Sequence, residues 1–488
     1  MLRLGLAALA LWLALEVPYL HPHYTFDYDA GNFARAWERF DVAAHRPQPP
    51  GFPLYVLLLR GVSRLTGAPQ TGMVVLSLLF MIAGLLTFWK LARESCGPKA
   101  GLAALILLAF SPLVRLHAVS QTTYAADLFA SSLTGWLALQ VWRGRSRAAV
   151  PLGLALGILT AIRSPGGFLL VPLALTALGR LFLRHRAAAL AGAGALAGAI
   201  LAWLAPVAES AGGWTQFREL SRENSMWAIR TTSVFFGGSP QLHYFMIREN
   251  GFFIVFGLLG FLTALAFLRR PPRLRRLAAL LPKQDWLLFG AWLAPGLATV
   301  FLLHSNKPGY VLLLIPPLAL LLAKALVWLE VRSWTAAVAA GLLVAAVVQI
   351  LPYERWMRKD LPDIFYLALR STPSILGHVE RNQERFAAGL EKISPSSPIE
   401  VFRTYNEGPN ISTVRVDFPK RIWLSRLSTD DTTVLHTMYR PAGEPVPEGL
   451  ARAWLCAGTG LPAWVAKQHP RAQRITEGPH FQLYAELP

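Results

Sequence analysis

The sequence predicts an all-α polytopic membrane protein of about eleven transmembrane helices with a small C-terminal α/β domain on the extracytoplasmic side. Three observations predict it: composition, the distribution of charge, and a series of apolar runs. Of 488 residues, 54% are hydrophobic and only 15% charged, against the usual 45–50% and about 25%. A mean hydropathy of +0.40 excludes a soluble cytosolic enzyme, a disordered chain and a collagen-like fibre. Two cysteines exclude a disulfide scaffold.

Charge divides the chain. Residues 1–352 carry 30 basic and 13 acidic side chains, a balance of +17, whereas 353–488 carry 17 and 15, a balance of +2. The division predicts a transmembrane body over 1–352 and an ordinary globular domain over 353–488. The net charge of +19 and pI near 10.4 do not indicate nucleic acid, because basic cytoplasmic loops are how membrane proteins set their orientation.

Eleven apolar runs predict about eleven transmembrane helices. They cover Leu4–Tyr19, Thr71–Ala92, Ala100–Val119, Tyr124–Trp142, Ala148–Ile162, Gly166–Leu183, Ala187–Pro206, Gly251–Leu268, Trp286–Leu303, Tyr310–Leu329 and Trp334–Leu351. Alternate connections are short and basic: Lys90, Arg93 and Lys99; Arg143, Arg145 and Arg147; Arg180, Arg184 and Arg186; then six cations between Arg269 and Lys283. These face the cytoplasm. With an odd number of spans the N-terminus is cytoplasmic and the C-terminal domain outside. Two long connections, 21–70 and 207–250, then fall on the outer side, where long loops carry work. In the tail, Ile399–Phe402, Arg421–Leu424, Val434–Met438, Ala451–Leu455 and Phe481–Ala485 read as strands, and Leu376–Leu390 and Pro462–Lys467 as helices. Asn410-Ile411-Ser412 matches a glycosylation acceptor, a tripeptide common by chance.

The first outer loop holds the densest signal. Phe33, Trp37 and Phe40 stand at i, i+4 and i+7, an amphipathic helix suited to the headgroup layer. Asp27 and Asp29 precede it. Asp29, with Asn32 three residues on, reads as an N-cap or as a catalytic carboxylate, and the two roles are compatible. Pro47, Pro49, Pro50 and Pro53 then forbid regular helix and Gly51 allows a close turn. The apolar stretch after them is too short to span, so a bend at the membrane surface leads into a second interfacial helix. Such a bend either packs between helices or lines a cavity.

These segments resemble the GT-C glycosyltransferase superfamily, closest to its protein O-mannosyltransferase and aminoarabinose-transferase-like branches. Asp29-Ala30-Gly31-Asn32-Phe33 is similar to the early acidic segment of those enzymes, and Gln48 to Tyr55, QPPGFPLY, to their His-Pro-Pro-Gly-Tyr-Pro-Leu-Tyr. Gly153–Gly167 and His304–Ala323 agree further along. Ala30 or Asn32 stands where the family has a second acid, and Gln48 where it has His.

The resemblance implies transfer of a sugar, with inversion, from a polyprenyl-phosphate donor to an acceptor hydroxyl of a lipid, glycan or protein at the outer face. Asp29 is then the general base. Asp27, Gln48, Arg163, His304, Lys307 and Tyr310 are the substrate-binding candidates. Arg163 and Lys307 each read as a lone cation in a short outer connection, suited either to a departing lipid phosphate or to snorkelling toward headgroups. No cofactor is expected; the alternative is a divalent metal held between Asp27 and Asp29. Competing readings are a transporter or flippase of lipid-linked saccharides, and a non-catalytic scaffold.

Overall fold

The structure, a computed structural model, describes residues 2–266, 282–303, 307–328, 334–351, 364–395, 397–402, 409–421, 423–425, 453–456, 460–478 and 481–486. The chain is mostly helical, with one small sheet near its C-terminal end.

Five helical stretches are long and apolar enough to cross a membrane: Leu2–Tyr19, Pro69–Cys96, Ser164–Phe182, Arg186–Ser210 and Asp285–Leu303. Two bent pairs raise the number to seven. Pro98–Ala109 and Pro112–Val119 meet at 62°, and Pro240–Gly257 and Leu259–Ala266 at 67°. The breaks are joined to each other, because Ser111 Oγ donates to the Gly257 carbonyl at 2.8 Å. A carbonyl freed from its helix by a bend thereby keeps a partner away from water. The remaining expected spans are present as helices but fall short of that standard. Ala125–Trp142 carries Asp127 and Gln140, and Ser146–Ile162, Ile315–Val327 and Val338–Ile350 are shorter apolar helices.

Small residues let the body pack closely. A Cβ on Gly153 would lie 2.0 Å from the Gly192 carbonyl oxygen, and one on Gly157 would lie 2.4 Å from Ala199 Cβ. Helices Ala149–Ile162 and Arg186–Ser210 thus touch through their backbones, as membrane helices commonly do.

The bundle has two chemically distinct ends. At one, Glu94 accepts hydrogen bonds from Trp136 and Gln140, Trp142 donates to Asp285, and Arg180 donates to Gln284. These contacts gather the basic connections around Arg93, Arg143 and Arg180. The opposite end holds the 21–70 segment and the connections around Gln121, Arg163 and Lys307.

The sheet has five strands: β1 Ile399–Val401, β2 Trp423–Ser425, β3 Ala453–Cys456, β4 Gln473–Gly478 and β5 Phe481–Ala485. Their order is β2-β1-β3-β5-β4. β1 runs parallel to β2 and β3, and β5 runs antiparallel to β3 and β4. Helix Ser374–Leu390 packs across it, with Phe386 edge-on to Phe481 at 5.4 Å. The expected strand Val434–Met438 lies outside the described residues. The sheet gains β4, whose residues QRITEG are charged and largely exposed at the edge, so no apolar alternation marks them.

One expectation about the polar segments is corrected. The helix carrying Phe33 spans Tyr28–Glu38, but Ala30 to Ala36 are buried, so its apolar face packs inside the protein rather than against lipid headgroups. Phe33 packs on Phe52 and Tyr55 at 5.2 and 4.8 Å. Its other face meets helix Ile411–Asp417, where a Cβ on Gly31 would lie 2.4 Å from Ser412 Oγ. The tail folds back over this helix, which no local pattern foretells. Asn410 is buried and caps Ile411–Asp417 in a capping box with Thr413. Its amide oxygen is thus engaged by backbone.

Candidate functional site

The site is built on the segment His23–Gln48. Asp27 caps helix Tyr28–Glu38, its Oδ1 accepting from Ala30 N at 2.8 Å. The cap expected at Asp29 is therefore two residues earlier, and Asp29 lies in the first turn with its carboxylate turned elsewhere. At the other end of this helix Arg60 donates to the carbonyls of Ala36 and Trp37, satisfying acceptors that the helix leaves open.

The proline segment follows. Arg46–Pro47 and Pro49–Pro50 are cis peptides, and the next helix opens at Pro53 and runs to Thr66. Proline at the first helical position costs nothing there. Gly51 sits at φ 113°, and a Cβ on it would approach Val42 and Val207 to 3.0 and 3.2 Å, so glycine alone makes this turn. The bend is buried in protein, with Asn224 of the second long connection donating to the Pro49 carbonyl. It also delivers Gln48, whose Nε2 lies 3.2 Å from Asp29 Oδ1.

Lys307 completes the group. Its Nζ lies 2.6 Å from Asp29 Oδ2 and 3.1 Å from Asp27 Oδ2, so it is no isolated cation. The Asp27 side chain is 4% exposed and that of Asp29 25%; of the two carboxylates, Asp29 is the one a reactant can reach. Burial pushes Asp27 up to about 6, against the Lys307 charge that pulls it down and with the Asp29 charge adding to the rise. The position between the carboxylates, where a divalent ion would have its donors, is taken by an ammonium. Among the described residues no group of three or more His, Cys, Asp and Glu side chains could hold a metal.

Beside this group stands a wall of aromatic rings and a buried ion pair. Arg163 Nε lies 2.5 Å from Asp127 Oδ2, with both side chains under a tenth exposed. Its guanidinium lies 4.2 Å over the ring of Tyr124 and 5.6 Å over that of Tyr310, two rings 5.3 Å apart. Arg163 is thus corrected from a lone cation to half of an ion pair. Close packing fixes the wall: a Cβ on Gly166 would lie 1.8 Å from Asp127 Oδ1, and one on Gly309 would lie 2.1 Å from the Tyr124 ring.

Of the residues singled out from sequence, Asp27, Asp29, Gln48 and Lys307 are joined directly, and Arg163 and Tyr310 stand in the adjoining wall. His304 lies outside the described residues. Sequence reasoning missed Asp127 and Tyr124. The signal for Asp127 was present, as a lone acid in the first turn of an apolar helix. A separate open cavity of about 490 Å³ is lined by Arg222, Glu223, Met226, Arg230 and Thr231 on helix Trp214–Thr232.

Residues 46–203 match the sequence model of the family described as dolichyl-phosphate-mannose-protein mannosyltransferase. No curated protein sequence matches the chain significantly. Among solved structures, ArnT from Cupriavidus metallidurans bound to undecaprenyl phosphate is similar at a TM-score of 0.60 and 15% identity, over 98% of this chain and 98% of that one. The apo form of the same protein gives 0.59 and 17%, over 99% and 97%. The Archaeoglobus fulgidus oligosaccharyltransferase is more distant, at 0.46 and 13%, over 85% of this chain and 62% of its own. At these identities the structural likeness is one of fold. The family match over the N-terminal part and the fold shared along nearly the whole length give this chain its similarity to the GT-C superfamily of membrane glycosyltransferases.

Proposed function

We propose that this protein is an inverting membrane glycosyltransferase. It moves a sugar from a polyprenyl-phosphate donor to an acceptor hydroxyl at the non-cytoplasmic face, with Asp29 as general base. The observation that carries the reading is the partly exposed Asp29 carboxylate held against Lys307 at 2.6 Å, at the bundle end opposite the basic connections. Those connections belong on the cytoplasmic side, so the carboxylate faces outward. The match to a dolichyl-phosphate-mannose-dependent family and the likeness to a protein crystallised with undecaprenyl phosphate support a lipid-phosphate donor.

The chemistry follows from the contacts. The acceptor oxygen attacks the anomeric carbon while its proton passes to Asp29. The bond from that carbon to the phosphate oxygen breaks, and its electron pair leaves with the lipid phosphate. Protonation neutralises one of the two carboxylates that hold Lys307, so the ammonium is released toward the phosphate as negative charge develops there. Gln48, on the other Asp29 oxygen, fixes the plane of the carboxylate. Arg163, already neutralised by Asp127, holds the Tyr124 and Tyr310 rings as a wall rather than meeting phosphate itself.

The test is transfer from a panel of polyprenyl-phosphate sugars by the purified protein, comparing wild type with Asp29→Asn. Loss of product with donor binding retained is expected. Undiminished product in the variant removes Asp29 as base, and absence of donor binding across the panel removes the reading altogether.

A further inference from the structure

The backbone leading into the carboxylates is held in an unusual way. Four successive N–H groups, those of His23, Tyr24, Thr25 and Phe26, each donate to a side chain far away in sequence. Glu380 Oε1 accepts from His23 N at 3.0 Å and from Tyr24 N at 3.3 Å. Both Asp417 oxygens accept from Thr25 N at 3.1 Å, and Asp417 Oδ1 also accepts from Thr25 Oγ1 at 2.6 Å. Gln121 accepts from Phe26 N at 3.0 Å and donates to the Tyr24 carbonyl at 2.7 Å. The next residue is Asp27, the cap and Lys307 partner.

Two of the three holders, Glu380 and Asp417, stand on helices Ser374–Leu390 and Ile411–Asp417, which pack with the sheet. The same part of the chain meets the segment elsewhere. Ser412 Oγ donates to Asn32 Oδ1 at 2.8 Å, Tyr24 lies against Phe418 at 6.2 Å, and Tyr28 packs against the sheet core. Thr25 is fully buried. An irregular segment has no ladder of its own to satisfy its N–H groups, and carboxylates make the stronger acceptors. The path is therefore set by side chains outside it.

We propose that the C-terminal domain is a clamp that fixes the His23–Asp27 path and so sets the position of the Asp29 carboxylate, with Asp417 and Glu380 as positioning residues. The effect on turnover rests on the function proposed above; the clamp itself does not. Displacing a reacting group by about 1 Å costs up to about a hundredfold in rate, so loosening this path lowers turnover without removing any group that touches substrate.

The experiment measures amide hydrogen exchange and steady-state transfer on the full-length chain, for wild type, Asp417→Ala, Asp417→Asn, Glu380→Gln and Thr25→Ala. In Asp417→Ala, exchange at residues 23–26 rises about tenfold or more, while β3 and β5 stay as protected as in wild type. Turnover falls by about tenfold to a hundredfold and donor KM moves less than about threefold. Asp417→Asn, which keeps one acceptor oxygen, recovers part of both losses. If the strands of Asp417→Ala also lose protection, Glu380→Gln and Thr25→Ala are judged by the same measurements. Unchanged exchange at 23–26 in the folded variants overturns the clamp, and faster exchange with full turnover overturns its role in positioning. Exchange that responds in a protein whose wild type transfers no sugar supports the clamp and overturns the glycosyl-transfer reading instead.

Discussion

Lys307 and Asp29 stand 278 residues apart in sequence, and their Nζ and Oδ2 atoms lie 2.6 Å apart. Asp27 shares the same ammonium, so one cation balances two carboxylates of unequal access. Asp29→Asn keeps the size and the Gln48 contact and loses the carboxylate proposed above as general base. Turnover is expected to fall by about 10²–10⁴-fold, with donor Kd little changed, as read by product formation alongside a binding titration.

Removing the cation is a different experiment. Lys307→Met leaves Asp27 buried beside Asp29 with no counter-charge, and breaking a buried pair in this way costs about 3–5 kcal/mol. Thermal unfolding is expected to show a lower Tm for Lys307→Met, with much of the loss restored by adding Asp27→Asn. A variant as stable as wild type contradicts a buried triad.

The Arg163–Asp127 pair predicts strong coupling. Arg163→Met and Asp127→Leu each strand a buried charge and are expected to destabilise by about 3–5 kcal/mol, and the double variant by clearly less than the sum. Arg163→Lys does not substitute, because lysine cannot reach both Asp127 and Thr123 as the guanidinium does and loses the stack over Tyr124. A double-mutant cycle on thermal stability gives the coupling directly.

Gly166 offers a steric test of the same pair. Alanine there puts its Cβ 1.8 Å from Asp127 Oδ1, so the carboxylate or the helix start must move. The expected cost is about 1–3 kcal/mol, with a parallel loss of turnover; a silent Gly166→Ala contradicts the close approach.

Burial pushes Asp417 up to about 7, against the Thr25 hydrogen bonds that pull it down. The folded state therefore holds a proton there that the unfolded chain has released above about 4. Between these values the native state binds more protons, so stability falls as pH rises from about 4 to about 7 and levels off above. Asp417→Asn carries no such proton, and its Tm is expected to vary less than that of wild type across this window.

What the sequence disclosed follows from which interactions are local. Apolar runs mark helices wherever the environment is uniform, as at Pro69–Cys96 and Arg186–Ser210. Prolines are steric statements, so the bend before Pro53 and the helix after it were legible. Asp27, Asp29, Gln48 and Lys307 were reached through motif resemblance, but their contacts were not. The cap fell to Asp27 because the helix begins at Tyr28, two residues earlier than an Asp29 cap implied. Asp127 resembled an ordinary acid at a helix start, and only packing shows it facing Arg163. The box Asn410–Thr413 had a readable signature for the helix it opens, which a glycosylation motif overlaid. Asp417, 392 residues from Thr25, had no local signal at all.

That last separation bears on biosynthesis. The segment leading to Asp29 is translated well before two of its fasteners: Glu380 follows His23 by 357 residues and Asp417 follows Thr25 by 392. A nascent chain that ends before Asn410 carries Gln121 and Glu380 but lacks the Asp417 anchor for Thr25. On the clamp proposed above, full fixing of this segment is thereby deferred until Asp417 has been translated.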